Sequence, residues 1–146
     1  MVEELERIIE DFDLVSYHTG VNTAFAEVVG AGCKKLALSS PYEPWLAKKM
    51  MEPTKYSVEK YGVTLEVEDD LIRTLLFPKT IAEGKTVFLI AQNDMILNDY
   101  HKLKELKMES DKKGNPEKLE NVIALRFGEL LSYSPDKIRE LIYKNS

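Results

Sequence analysis

Thr86-Val87-Phe88-Leu89-Ile90-Ala91 is the one unbroken apolar run that ends directly on a polar cluster, Gln92-Asn93-Asp94. Its length and its β-branched and aromatic residues read as a strand covered on both faces, the central strand of a core. After it the period changes. Met95, Ile96, Tyr100, Leu103 and Leu106 recur at helical spacing, and Asn93 or Asp94 stands where a helix needs a cap.

Upstream, Val63, Leu65 and Val67 alternate with Thr64, Glu66 and Glu68. That is a strand with one wet face, as at a sheet edge. Asp69-Asp70 follows, then Leu71 to Phe77, whose pattern fits helix and strand alike until Pro78 stops it. Leu36-Ala37-Leu38 reads as a third strand, between the helix-capping Gly30-Ala31-Gly32 and the turn Ser39-Ser40-Pro41.

Helical patterns fill the remainder. Leu5, Ile8, Ile9 and Phe12 share a face over residues 2–12. A second series runs from Leu14 to Val29, with a join expected between Asp13 and Gly20. Trp45 to Met51 and Pro53 to Tyr61 read as two helical pieces ending at Gly62. Pro116, with Asn115 as cap, opens a helix carrying Leu119 to Leu131, and Ser134-Pro135 opens the last one. Strands separated by helices predict one α/β domain over residues 1–146. Its sheet would be small, mainly parallel and three- to four-stranded, flanked by helices, with helical N- and C-terminal segments. The alternative is an all-α bundle in which the short apolar runs are helix cores.

Composition narrows the function. The chain has 146 residues, 44% hydrophobic and 31% charged, with net charge −5, as in a soluble globular protein. No apolar run approaches the roughly 18 residues of a membrane span. The acidic start, Met1 to Glu6, is unlike a signal peptide, so a cytoplasmic protein without a membrane partner is expected. Bases are interspersed with acids, which leaves no nucleic-acid footprint. One cysteine, Cys33, and two histidines make a Cys/His zinc site improbable, and no metal site or cofactor is assigned.

If the strands are parallel, their carboxyl ends bring Ser40, Asp69-Asp70 and Asn93-Asp94 to one edge, where open α/β sheets bind ligands. Facing acids there can hold Mg²⁺ or exchange protons. His18, Asp69 and Asp94 are the catalytic candidates, and Ser40, Asp70 and Asn93 the ligand-binding ones. His18 earns its place because Tyr17-His18-Thr19-Gly20 interrupts an apolar stretch. Against these readings, helix capping alone accounts for Ser, Asp and Asn at such positions.

No motif narrows the chemistry. Asp69 to Thr74 looks like the ribose-phosphate loop of phosphoribosyltransferases, but Leu75-Leu76-Phe77 follow where glycines would wrap the phosphate. The acid order of a phospho-accepting receiver, a dinucleotide fingerprint and a P-loop are all missing. The expected function is a domain that binds a small molecule, phosphorylated or Mg²⁺-bound, at the strand ends; whether it is an enzyme stays open. The alternative is a non-enzymatic interaction or structural protein, a homo-oligomer joined through the apolar residues of 119–131.

Overall fold

The computed structural model describes residues 13–146. The helix expected over residues 2–12 lies outside the described residues. In chain order the elements are α1 (Leu14–Gly30), β1 (Leu36–Leu38), α2 (Pro44–Tyr61), β2 (Thr64–Glu68), β3 (Val87–Ala91), α3 (Asp94–Lys112), α4 (Glu117–Leu130) and α5 (Pro135–Asn145). Five helices and one small sheet make the described part 59% helical.

The strands lie in the order β1-β3-β2, and both outer strands run antiparallel to β3. This overturns the mainly parallel sheet, and the sheet itself overturns the all-α bundle. The reason is physical. An unbroken apolar run records that both faces of a strand are covered; it does not record the direction of its neighbours. All five residues of β3 are buried. Val87, Leu89 and Ala91 face a core built with α3, α4 and α5. Phe88 and Ile90 face α1 and α2 on the other side. Each large side chain so buried contributes about 1.5–3 kcal/mol.

Pairing continues past β1 after a break. The Ser39 amide donates to the Phe88 carbonyl (2.9 Å), and Ser39 Oγ accepts from the Phe88 amide (2.8 Å). Tyr42 then exchanges both backbone bonds with Thr86. Three steps on one side match two on the other, so Ser40-Pro41 form a bulge, a site where proline's missing N–H costs nothing.

The helices differ in detail from the sequence pattern. α1 is continuous from Leu14, with Asp13 as N-cap accepting from the Val15 amide (3.0 Å); Gly20 lies inside it. α2 runs unbroken through Pro53. Proline there removes one intrahelical bond, but Thr54 and Ser57 are buried against α1, and packing outweighs the lost bond. Gly62, in the left-handed region (φ 66°), ends α2 as expected. Asn115 does not cap α4; it adopts φ 58° in the turn, and Pro116 takes the cap position without a side-chain bond. Leu71 to Phe77 is neither helix nor strand.

Candidate functional site

The antiparallel sheet separates the residues that a parallel one would gather. β1 and β2 end beside the start of β3. Ser40, Asp69 and Asp70 therefore lie at one end of the sheet, and Asn93 and Asp94 at the other. Seven residue steps of extended chain from Thr86 to Asn93 put these ends roughly 20 Å apart. The structure therefore does not bring these five residues together at one edge. Among the described residues no three His, Cys, Asp or Glu side chains gather as metal ligands.

Asn93 and Asp69 each hold a local structural bond. Asn93 Oδ1 accepts from the Ile96 amide (3.1 Å), so Asn93 is the cap of α3, with Asp94 exposed in the first turn. Asp69 Oδ1 accepts from Thr86 Oγ1 (2.8 Å), pinning the exit of β2 to the entry of β3. Ser40 is exposed on the bulge. His18 lies on α1, across the sheet from α3, with its ring edge-on to Tyr42 at 5.1 Å.

Asp70 leads elsewhere. Residues 69–86 connect β2 to β3 without regular structure, although Leu71, Ile72 and Leu76 are buried. Irregular connections of this length are uncommon within a compact domain. This one is held to α3 by side chains. Tyr100, fully buried, accepts from the Ile72 amide (3.1 Å) and donates to Glu68 Oε2 (2.8 Å). Lys104 Nζ donates to Glu68 Oε2 (3.0 Å) and to the Asp70 carbonyl (2.9 Å). Burial, with Glu68 alongside, holds the Tyr100 phenol far above its usual range, so it stays a donor. Beside this pair His101 meets Glu66 at 2.7 Å on the surface.

The face of β2 that alternation marks as wet is thus covered by the polar edge of α3. Glu66 and Glu68 lie opposite Leu89 and Val87, on the α3 side, and Leu65 lies opposite Ile90, on the α1–α2 side. Glu68 is largely covered and pairs with Lys104, while the more exposed Glu66 meets His101.

Between this connection, α3, the start of α4 and the end of α5 runs a groove of about 890 Å³. Leu75, Phe77, Pro78 and Met108 give it apolar surface; Arg73 and Lys79 stand on its loop wall, and Asp111, Glu117 and Asn121 on its helical wall. At its centre Lys107 Nζ contacts Glu120 Oε1 (2.5 Å), Asp111 Oδ1 (3.1 Å) and Asn115 Oδ1 (3.4 Å). Ser110 Oγ occupies the other Glu120 oxygen (2.8 Å). Burial works against the Lys107 charge, but Glu120 and Asp111 outweigh it and raise its pKa. A lysine held as ammonium is a fixed charge at neutral pH and does not act as a nucleophile.

Sequence reasoning missed Tyr100, Lys104, Lys107 and Glu120. A signal existed: Tyr100, Lys104, Lys107 and Asp111 share one face of α3 at three- and four-residue spacing. The apolar residues that pointed to an oligomer mostly turn inward: Ile123, Phe127, Leu130 and Leu131 are buried in the chain's own core, while Leu125 is exposed. Among the described residues no helix is long and apolar enough to cross a membrane. In comparisons with known proteins, no family model matches the chain, and no similar curated protein or solved structure is found.

Proposed function

We propose that the protein binds a small amphipathic molecule in the groove between residues 70–79, α3 and α4. The observation that carries this reading is the groove itself. Its volume, about 890 Å³, falls in the range of about 300–1,000 Å³ typical of small-molecule sites. Its walls also combine apolar surface with convergent polar groups, as such sites do. The charges at its centre are already paired, so selectivity falls to the rim groups Arg73, Lys79, Glu117 and Asn121.

A thermal-shift screen of small metabolites, phosphorylated compounds and Mg²⁺ tests it. A ligand that binds only the folded state raises the melting temperature, increasingly so as its concentration exceeds its dissociation constant. Met108→Trp, at a residue 60% exposed on the groove wall, narrows the site at little cost to folding. The reading expects hits whose stabilisation is lost in Met108→Trp and kept in Asp94→Ala, which lies outside the groove. Hits that survive Met108→Trp unchanged, or no hits at all, count against it.

A further inference from the structure

The charges at the centre of the groove are paired, but two cations on its loop wall are not. Lys107 meets Glu120 and Asp111, and Lys104 meets Glu68. Glu117 lies in the first turn of α4, where the positive end of the helix dipole favours an acid. Arg73 and Lys79 are exposed and, among the described residues, form neither an ion pair nor a side-chain hydrogen bond. The acids of the same loop do not neutralise them. Asp69 accepts from Thr86. Asp70 and Glu83 share with both cations the lining of a recess of about 40 Å³, yet close to an ion pair with neither. Beyond contact distance, water and salt screen what attraction remains.

The backbone that carries the two cations is anchored. Ile72, Thr74 and Leu76, on either side of Arg73, are buried. The Ile72 amide donates to Tyr100 Oη, and the Leu76 amide to Thr74 Oγ1 (3.1 Å). Phe77 is half-buried and packs edge-on against Phe127 of the core, with ring centroids 6.2 Å apart. Pro78 fixes its own φ directly before Lys79. The chain beneath both charges is thus set before a ligand arrives, and preorganised groups lose less freedom on binding.

Resting on the groove as the binding site, we propose that its ligand is an amphipathic anion: a carboxylate or phosphate head met by Arg73 and Lys79, on an apolar body lying against Phe77, Pro78 and Met108. The Arg73 guanidinium is a planar fork that matches either head, and Lys79 adds a point charge. The apolar body covers Met108, which is otherwise 60% exposed. Asp111 and Glu117 on the opposite wall repel the head and send it to the loop side, which orients the molecule across the groove. A cationic head meets the reverse. It is repelled by both loop cations, and Asp111 is already held by Lys107.

The test is calorimetric titration of the intact chain with octanoate, octyl phosphate, octanol and octylammonium, which share one apolar body. At least one of the two anions should bind about tenfold more tightly than octanol, and octylammonium should bind least. Whichever anion binds more tightly assigns the head as carboxylate or phosphate. Arg73→Gln combined with Lys79→Gln should bring the anions down to the affinity of octanol. Lys55→Gln removes an exposed charge on α2, outside the groove, and should keep the preference. Octanol binding as tightly as both anions overturns the proposal, as does an anion preference that survives the double variant. If octanol binds without any anion preference and Met108→Trp abolishes it, the groove stands and the amphipathic anion falls. If no probe binds, or if all bind equally well to Met108→Trp, the groove falls and this proposal with it. The wild-type comparison stands even if the double variant fails to fold.

Discussion

The Tyr100 hydroxyl joins the Glu68 carboxylate at 2.8 Å while accepting from the buried Ile72 amide at 3.1 Å, so one oxygen ties β2, α3 and the loop between β2 and β3 together. Tyr100→Phe keeps the ring in the core and removes that oxygen. The Ile72 N–H is left without a partner, at an expected cost of about 1–3 kcal/mol. Urea denaturation should show a lower midpoint with an unchanged slope. An unchanged midpoint would mean that water replaces the hydroxyl, and that the loop is not held as described.

Two glycines should respond to alanine in opposite ways. A Cβ at Gly128 would lie 2.5 Å from Ile138 Cγ1, where α4 and α5 touch. Gly128→Ala forces that contact apart, at about 1–3 kcal/mol. Gly20 lies within α1 with nothing among the described residues inside 4 Å of its Cβ position, so Gly20→Ala should stabilise by about 0.5–1 kcal/mol. Thermal melts of the two variants, measured together, check both signs.

The ion pair at the centre of the groove carries a pH signature. The folded pKa of Lys107 lies above its ordinary 10.5, so its contribution is complete below that value and is lost as pH rises through the folded one. Lys107→Met leaves Glu120 with Ser110 Oγ but without its cation, and should destabilise the protein at neutral pH. The gap between wild type and variant should then narrow above about pH 10.5, where the wild-type lysine also loses its charge. A gap that stays constant up to the strongest base tolerated would show that packing of the lysine stem, not its charge, is what the variant loses.

Asp69 holds Thr86 and otherwise faces solvent. Asp69→Asn keeps an oxygen for Thr86 Oγ1 and should leave stability within about 0.5 kcal/mol. Asp69→Ala should loosen the junction by about 1 kcal/mol. Equal losses in the two variants would point to the charge of Asp69 as the cause, and to a cation partner for it.

What the sequence discloses here follows from what each pattern encodes. Val87 to Ala91 declares a buried strand because burial on both faces removes every polar residue. Asn93 and Ser134 declare helix starts because a side-chain oxygen must meet free amides, and both do so in the structure. Direction has no such local signature. β1 and β2 contact β3, never one another, and the antiparallel order depends on how α2 and residues 69–86 return the chain. Ser40, Asp69, Asp70, Asn93 and Asp94 do follow strands, but the antiparallel order sends them to opposite edges. Glu66 and Glu68 mislead differently. Alternation reports polarity, and it cannot tell water from the ammonium of Lys104.

The central position of β3 also orders events in time. Synthesis delivers β1 and β2 first, yet neither can pair with the other across the gap that β3 will fill. Until residue 91 leaves the ribosome, the nascent chain holds two strands with unsatisfied edges and helices α1 and α2 with no sheet to cover. The sheet closes in one late step, through contacts distant in sequence, which is the slow kind of closure. The emerging first two-thirds of the chain is therefore the form most exposed to proteases and chaperones.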